Sequence, residues 1–392
     1  MQTVKRKKSI LHLPKWYPHP ADPQNGVFIQ KQIVALQPDF FNTVLFVKSA
    51  NQDKLIEIMP SRENGMSVFR IYFREYQGNK YLKPLVHLSR YLKGFRKGIK
   101  AVQVFGKPQL IHAHVLLRTG LLAWYYSRKF KINYIISEHW SGYITGAFGK
   151  KNFSYRKLSM FVLNRAGRIL LVSEILKSAF VKMGTPEQKI EIVPNVVEML
   201  KVSGNLVISS KRSKVIMLSV ADLVDDIKKI SEVIEVVADL LNTQNLEYWI
   251  VGDGIDRQKL EELAKSRGLL GDVVKFQGRK TNEDVLKIIR LCDFLVLNSV
   301  TETFSVVAAE ALLGGKPVVA TRCGGPEIFV NESNGILIEV GNRQQLKDAV
   351  SKMSVNFQNY DPQKLKLEVS KKFSTDAVGQ QLKVIYNQVL GG

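Results

Sequence analysis

At 392 residues, with 45% hydrophobic and 23% charged residues, the chain has the composition of a soluble globular protein and the length of two domains rather than one. No run of 18 apolar residues exists to span a bilayer, the apolar stretch at residues 10–13 is too short for a signal peptide, and Cys292 and Cys323 are too few for a disulfide framework. An integral membrane protein, an exported protein and a disulfide scaffold are therefore not expected, and a cytoplasmic location with two reduced core thiols is. The net charge of +22 is the outlier: residues 1–200 carry 32 Lys and Arg against 11 Asp and Glu, whereas residues 201–392 carry 25 against 24. Such asymmetry points to a polyanionic partner for the first half: nucleic acid, an anionic membrane face or a phosphorylated substrate.

Residues 9–13 read as a first strand, and the loop after them, PKWYPHPADPQNG, leads to a helix over 27–36 with Ile29, Ile33 and Leu36 on one face. Asn25 can cap this helix and Gly26 lets the backbone approach a ligand, so the turn is either an anion site or an ordinary capped turn. Strands over 43–47 and 67–73 follow. Residues 81–107 interleave aromatic and aliphatic side chains with Lys83, Arg90, Lys93, Arg96, Lys97 and Lys100. This basic amphipathic segment suits either the solvated outer helix of an α/β domain or contact with an anionic membrane face, and Gly94 and Gly98 weaken it as a helix.

The run LIHAHV at 110–115 is strand-like, with His112 and His114 on one face. His-x-His is a metal pattern, but no third ligand stands at a recognised spacing, and no metal is expected. A helix over 121–126 and a strand over 134–136 deliver Glu138, His139 and Trp140 at a strand end, which makes His139 the best-placed histidine for a ligand. Strands over 169–173 and 190–194 complete the strand–helix rhythm of a parallel doubly wound sheet, and the pattern lapses over 196–213, where an interdomain linker is expected.

The rhythm then restarts. Strands over 215–220, 246–251, 273–276 and 294–297 alternate with helices over 230–241, 258–264 and 283–290. Gly252 and Gly254 lack the third glycine of a dinucleotide fingerprint and read as turn formers. After 294–297 a polar loop opens a short helix over 305–313, stopped by Gly314 and Gly315; Pro317 admits a buried strand over 318–321 before the turn at Gly324 and Gly325. Loops at the carboxyl ends of parallel strands bind ligands, and the first turn of a helix offers N–H groups to an anion. Glu310 sits in the middle of this otherwise apolar helix. A buried carboxylate needs donors, which a hydroxyl-rich ligand, a structural salt bridge or a backbone cap would each supply. Glu302 in the loop, and Lys228 or Lys229 beyond strand 215–220, would reach the same place, and a last helix is expected over 376–390.

Glu302 and Glu310, with seven residues between them and followed by LLGGKPVVAT and GGPE, resemble the E-x7-E signature of glycosyltransferase family 4, retaining GT-B enzymes that use nucleotide sugars. Gly26, His139, Pro194, Asn195 and Lys228 extend the resemblance more loosely over nearly the whole chain. It implies an α/β fold of two Rossmann-like doubly wound parallel-sheet domains facing a central cleft: an acceptor domain at 1–196, a linker at 197–213, a nucleotide-sugar domain at 214–374 and a helix at 375–392 returning to the first domain. It also implies that Glu310 binds the ribose hydroxyls, and that Glu302, Thr303 and the backbone amides of Phe304, Ser305 and Val306 hold the donor sugar and diphosphate. Lys228 would neutralise the departing diphosphate, Gly26 would approach it, and His139 would contact the sugar near the reacting bond.

The implied function is hexosyl transfer from a nucleotide-diphosphate sugar to a glycan or lipid-linked glycan in cell-surface polysaccharide assembly. The implied setting is the inner membrane face, with no metal or further cofactor. Two departures stand out. Thr303 and Ser305 replace the glycines of the usual Glu-Gly-Phe-Gly opening, where either could cap the helix, and Asp222 stands where an arginine usually precedes the lysine, so that Arg279 or Arg322 would have to take its role. Two other readings stay open: a nucleotide-sugar 2-epimerase on the same fold, and a non-enzymatic polyanion-binding protein, although no nucleic-acid motif is recognisable.

Overall fold

A computed structural model describes residues 7–198 and 213–391; most of the expected linker, residues 199–212, lies outside the described residues. The chain divides into two compact units, one of Met1–Asn195 with Val378–Gly392 and one of Val196–Ala377.

The first unit begins with β1 (Lys8–Pro14), α1 (Val27–Ala35), β2 (Phe40–Ala50), β3 (Ile56–Glu63), β4 (Met66–Arg74) and α2 (Lys83–Val102). It continues with β5 (Leu110–His114), α3 (Thr119–Phe130), β6 (Asn133–Glu138), α4 (Phe153–Arg165), β7 (Ile169–Leu171), α5 (Glu174–Lys182) and β8 (Ile190–Ile192). The strands form one sheet in the order β3-β4-β2-β1-β5-β6-β7-β8, parallel except for β3, which runs antiparallel to β4. Apolar runs buried on both faces explain the parallel strands. The sequence reading missed β3 because most of its residues are exposed and Pro60 interrupts it, as an edge strand tolerates. The outer helix α2 buries Phe95, Ile99 and Val102, and Gly94 and Gly98, the weak points of the sequence pattern, are where it lies closest to Leu45, Val47 and Ile71.

The second unit holds β9 (Val215–Val220), α6 (Asp225–Lys228), α7 (Ile230–Leu240), β10 (Leu246–Val251), α8 (Arg257–Ser266), β11 (Val274–Gly278) and α9 (Asn282–Leu291). Then follow β12 (Phe294–Leu297), α10 (Val306–Leu313), β13 (Val318–Thr321), β14 (Gly335–Ile338), α11 (Arg343–Asn356) and α12 (Pro362–Phe373). Its six strands are all parallel, in the order β11-β10-β9-β12-β13-β14. Val233, Ile234, Val236 and Val237 of α7 are fully buried in a core with Tyr248 and Phe294. The last helix, α13 (Thr375–Gly391), belongs from Val378 onward to the first unit, where Tyr386 is fully buried. Cys292 and Cys323 are buried and form no disulfide. Among the described residues, no helix is long and apolar enough to cross a membrane.

Candidate active site

In an open parallel sheet the binding crevice lies at the carboxyl ends of the two strands where the order reverses. In the second unit these are β9 and β12. The loop leaving β9 passes Asp222 and reaches Lys228 on α6; the loop leaving β12 spans 298–305 and opens α10. Backbone and amide bonds hold the two together: Val300 N–H donates to the Ile227 carbonyl at 2.8 Å, and Asn298 donates to the Lys229 carbonyl at 3.4 Å and the Glu232 carboxylate at 3.0 Å. Lys228 Nζ then lies 2.5 Å from Glu302 Oε1, which also accepts from the Ser299 hydroxyl at 2.9 Å. With side chains only 22% and 15% exposed, each charge relies on the other for the solvation that burial removes.

Glu302 is fixed from behind. Its N–H donates to the Cys323 carbonyl at 3.1 Å, and its carbonyl accepts from Gly325 N–H at 3.0 Å. A Cβ on Gly325 would fall 2.6 Å from the Phe304 carbonyl carbon, so glycine alone lets this turn lie against the loop. Phe304 is buried against Phe329 and Phe373. Ser305 follows at φ 67°, in the left-handed region, so the conformation that favours glycine persists here with serine. This corrects the capping expectation. Ser305 stands at the N-cap of α10, but its side chain makes no capping bond, because that bond is normally made from extended backbone; Thr303 lies outside the helix. Glu310 lies within α10 and is 4% exposed. Asp222 draws in a guanidinium from the end of β11: Arg279 Nη2 is 3.4 Å from its carboxylate, whereas Arg322 pairs with Glu339 at 3.2 Å.

In the first unit the reversal falls between β1 and β5. Gly26 has φ 70°, and a Cβ there would lie 2.4 Å from the Trp16 carbonyl oxygen; its close approach is to its own chain. Gly26, not Asn25, is the N-cap of α1, with no side-chain cap, and Asn25 instead donates to the Asp22 carboxylate at 3.4 Å. The sequence reading of Asn25 as a cap is corrected accordingly.

His139 is 8% exposed, neither ring nitrogen has a hydrogen-bond partner among the described residues, and its ring sits 4.7 Å from that of Phe28. Burial holds its imidazole down at about 3, so it is neutral at ordinary pH. The adjacent Glu138 is fully buried. It accepts from the backbone N–H groups of Leu116 and His139, both at 2.8 Å, and from Trp140 N–H and the Tyr143 hydroxyl, both at 3.1 Å. Desolvation raises its pKa, and these four donors oppose that shift. One carboxylate thus fastens the loop after β5 to the loop after β6.

His12, His112 and His114 offer nitrogens that all lie within 4.8 Å of one another, a grouping invisible to sequence spacing because His12 comes from β1. Five of the six ring nitrogens are already engaged. His12 bridges Asn42 at 3.0 Å and His114 at 3.2 Å; His112 bridges Tyr386 at 2.5 Å and Ser137 at 2.7 Å; His114 Nδ1 is left without a partner. The donor set fits a hydrogen-bonded network better than a metal cradle. Sequence reasoning missed His12 and Glu138 as a fastener; for His12 the β1 alternation was the one available signal.

Two doubly wound parallel-sheet units, the second carrying a Lys–Glu pair and a helix N-terminus at its switch point, define an architecture of two Rossmann-like domains. The second half of the chain matches the family described as Glycosyl transferases group 1 over residues 207–360, and the first half matches Glycosyltransferase Family 4 over residues 60–199. The chain belongs to glycosyltransferase family 4, has the GT-B fold and is a glycosyltransferase.

An uncharacterized glycosyltransferase of Methanocaldococcus jannaschii is 24% identical over 352 residues, covering 85% of this chain and 93% of the relative. A Bacillus subtilis protein provisionally named as the teichuronic acid biosynthesis glycosyltransferase TuaC is 26% identical over 372 residues, 88% of each chain. Among solved structures, sucrose-phosphate synthase from Thermosynechococcus elongatus superposes with a TM-score of 0.77 at 18% identity, over 98% of this chain and 100% of that one. Anabaena HepE in complex with UDP-glucose superposes with a TM-score of 0.70 at 19% identity, over 97% and 99%.

Proposed function

We propose that this enzyme transfers a sugar, with retention of configuration, from a nucleotide-diphosphate donor held by the second unit to a glycan or lipid-linked glycan acceptor met by the first, in cell-surface polysaccharide assembly. The observation that carries the donor half is the Lys228–Glu302 pair, 2.5 Å apart at the switch point and next to the opening turn of α10. Glu310 binds the ribose hydroxyls. The N–H groups of Phe304, Ser305 and Val306 face the diphosphate, since the first turn of a helix has no internal partners for its donors. Arg279, held by Asp222, adds the cation that the family places there as an arginine.

When the anomeric C–O bond breaks, charge develops on the departing diphosphate, and Lys228 with the helix amides stabilises it electrostatically. The acceptor hydroxyl attacks on the face that the leaving group vacates, and its proton passes to the departing phosphate oxygen. His139, neutral and without a partner, contacts the sugar, and Gly26 keeps the role that the family resemblance implies. Glu302 holds the sugar once the diphosphate has engaged Lys228. The reading requires no metal, and turnover that survives exhaustive chelation is its expected signature.

The acceptor and membrane part rests on the charge of residues 1–200 and on α2, which exposes Leu85 and Leu88 and carries Lys93, Arg96 and Lys97, with the exposed Tyr81 just before it. The relative named for teichuronic acid biosynthesis supports a polysaccharide role, and the neighbour solved with UDP-glucose supports a nucleotide-sugar donor.

A thermal-shift and hydrolysis screen across nucleotide sugars tests the donor, and Glu310→Ala should abolish stabilisation by the nucleotide that binds. Full turnover and normal nucleotide affinity in that variant would remove the ribose assignment. Product analysis with and without acceptor separates transfer from 2-epimerisation, the anomeric configuration of the product reports retention, and sedimentation with anionic vesicles tests membrane contact.

A further inference from the structure

Apart from the donor residues, the first unit holds a cavity of about 590 Å³ at the carboxyl ends of β1, β2, β4 and β5. Lys15, Lys48, Lys83 and Arg118 line it and no carboxylate does; Trp16 and Tyr91 are among its apolar walls. Two of the four cations are already held. Lys83 pairs with Glu75 at 2.9 Å, and Lys48 donates to the His19 imidazole at 2.6 Å, an acceptor that leaves the ammonium charge uncancelled. Lys15 lies 5.1 Å from the Trp16 ring centroid, and burial, then the nearby Arg118 and Lys151 against the opposing pull of Glu138, leave its pKa lowered. Among the described residues, neither Lys15 nor Arg118 has a carboxylate within ion-pair distance. Cations gathered in a concave, partly dry space repel one another unless an anion sits among them.

The backbone points the same way. Val115 and Arg118 have φ of 72° and 71°, in a region that neither a β-branched nor a long side chain favours. They stay there because Leu116 N–H is held by the Glu138 carboxylate and Val115 N–H by the Ser137 carbonyl, both at 2.8 Å. Strain that the surroundings overdetermine is characteristic of functional loops, and here it sets the residue that brings a guanidinium to the cavity wall. At the other wall, Leu88 and Tyr91 belong to α2. The side of α2 that buries Phe95 and Ile99 farther along is open to solvent at Leu85 and Leu88, and Tyr81, just before the helix, is exposed as well.

We propose that this cavity is the acceptor subsite and takes a phosphate or diphosphate bearing an isoprenoid or alkyl chain, with Arg118 and Lys15 on the anion, Lys48 beside them, and the chain along Tyr81, Leu85 and Leu88. It rests on the transferase reading above and narrows the acceptor to an anionic amphiphile.

The test is calorimetric titration of the full chain, kept saturated with the nucleotide diphosphate identified in the donor screen, with farnesyl diphosphate, inorganic pyrophosphate and farnesol. Farnesyl diphosphate should bind most tightly. Arg118→Gln and Lys15→Gln should each weaken it by roughly tenfold or more. Leu85→Asn and Leu88→Asn should weaken farnesyl diphosphate but leave pyrophosphate unchanged, and nucleotide affinity should be unaltered in all four variants, which also reports correct folding. Farnesyl diphosphate binding no better than farnesol, or Arg118→Gln and Lys15→Gln without effect, would overturn the anion assignment. Equal binding of pyrophosphate and farnesyl diphosphate would overturn the assignment of the chain. Failure of every nucleotide to bind would strike the donor reading instead, while the lipid titrations, run without nucleotide, still decide this one.

Discussion

Replacing Glu138 by Gln removes one oxygen acceptor and introduces an NH2 group at a place where every neighbour is a donor. The amide oxygen can keep the His139 and Trp140 N–H groups, but Leu116 N–H then faces a second donor, and the Tyr143 hydroxyl must turn to accept. A buried donor left unsatisfied costs about 1–3 kcal/mol, and the strained Val115 and Arg118 backbone loses the bond that holds it. The loss should be about 2–3 kcal/mol, reduced by the desolvation that a neutral side chain no longer suffers, against a total stability of roughly 5–15 kcal/mol. Glu138→Ala leaves all four donors without the carboxylate and should cost about 4 kcal/mol.

Three of the four tryptophans, Trp16, Trp124 and Trp140, belong to the first unit. Tryptophan fluorescence during urea unfolding therefore weights that unit, and the two units need not melt together. A Gln variant with stability within about 0.5 kcal/mol of the parent, the ordinary scatter of neutral surface changes, would mean that the carboxylate does not act as a four-fold acceptor. The account of the two loops would then be wrong.

Lys228→Gln or Glu302→Gln strands a half-buried partner charge, so each should lower turnover by about 10²–10³, the range for losing one preorganised stabiliser. The double variant should regain stability without regaining turnover, as a thermodynamic cycle on both readouts would reveal. Ser305→Gly should raise thermal stability by up to about 1 kcal/mol, because the left-handed backbone penalty of serine outweighs the extra unfolded-state freedom of glycine; a lower melting temperature would contradict it.

Acid should destabilise the first unit. Burial lowers the His12 pKa to about 4 and holds His112 and His114 well below the usual imidazole range. The unfolded chain thus takes up protons below pH 6.5 that the folded chain refuses. Stability is full above that pH and falls as pH drops towards 4, by about 1.4 kcal/mol per pH unit for each such histidine. Urea midpoints between pH 7 and 5 check the sign, and His12→Gln should flatten the slope.

Most of the parallel strands were legible because both faces are buried and their apolar runs are nearly continuous; β12 and β13 are plain in FLVL and VVAT, whereas the four-residue β14, half-buried at Ile336 and Leu337, was not read. β3 was not, since an exposed edge strand with Pro60 has no such run. On the donor side, the residues themselves brought Glu302, Glu310 and Lys228 or Lys229 towards one place, the family resemblance singled out Lys228, and the structure pairs Lys228 with Glu302. The pairing of Arg279 with Asp222 was visible only as a need for a replacement cation. The His12–His114 contact joins residues 102 apart, and Glu138 reaches back 22 residues to Leu116. Such partnerships depend on strand order, β1 beside β5 beside β6, which no local pattern encodes.

Tyr386 ties the end of the chain to His112 in the middle of the first unit's sheet. The whole of the second unit, Val196–Ala377, is synthesised between these two partners. A ribosome making this protein therefore releases a contiguous second unit while the first still lacks its closing helix, inverting the usual order in which amino-terminal domains finish first. Until Tyr386 emerges, the imidazole of His112 lacks one of its two hydrogen-bond partners and keeps Ser137 as the other.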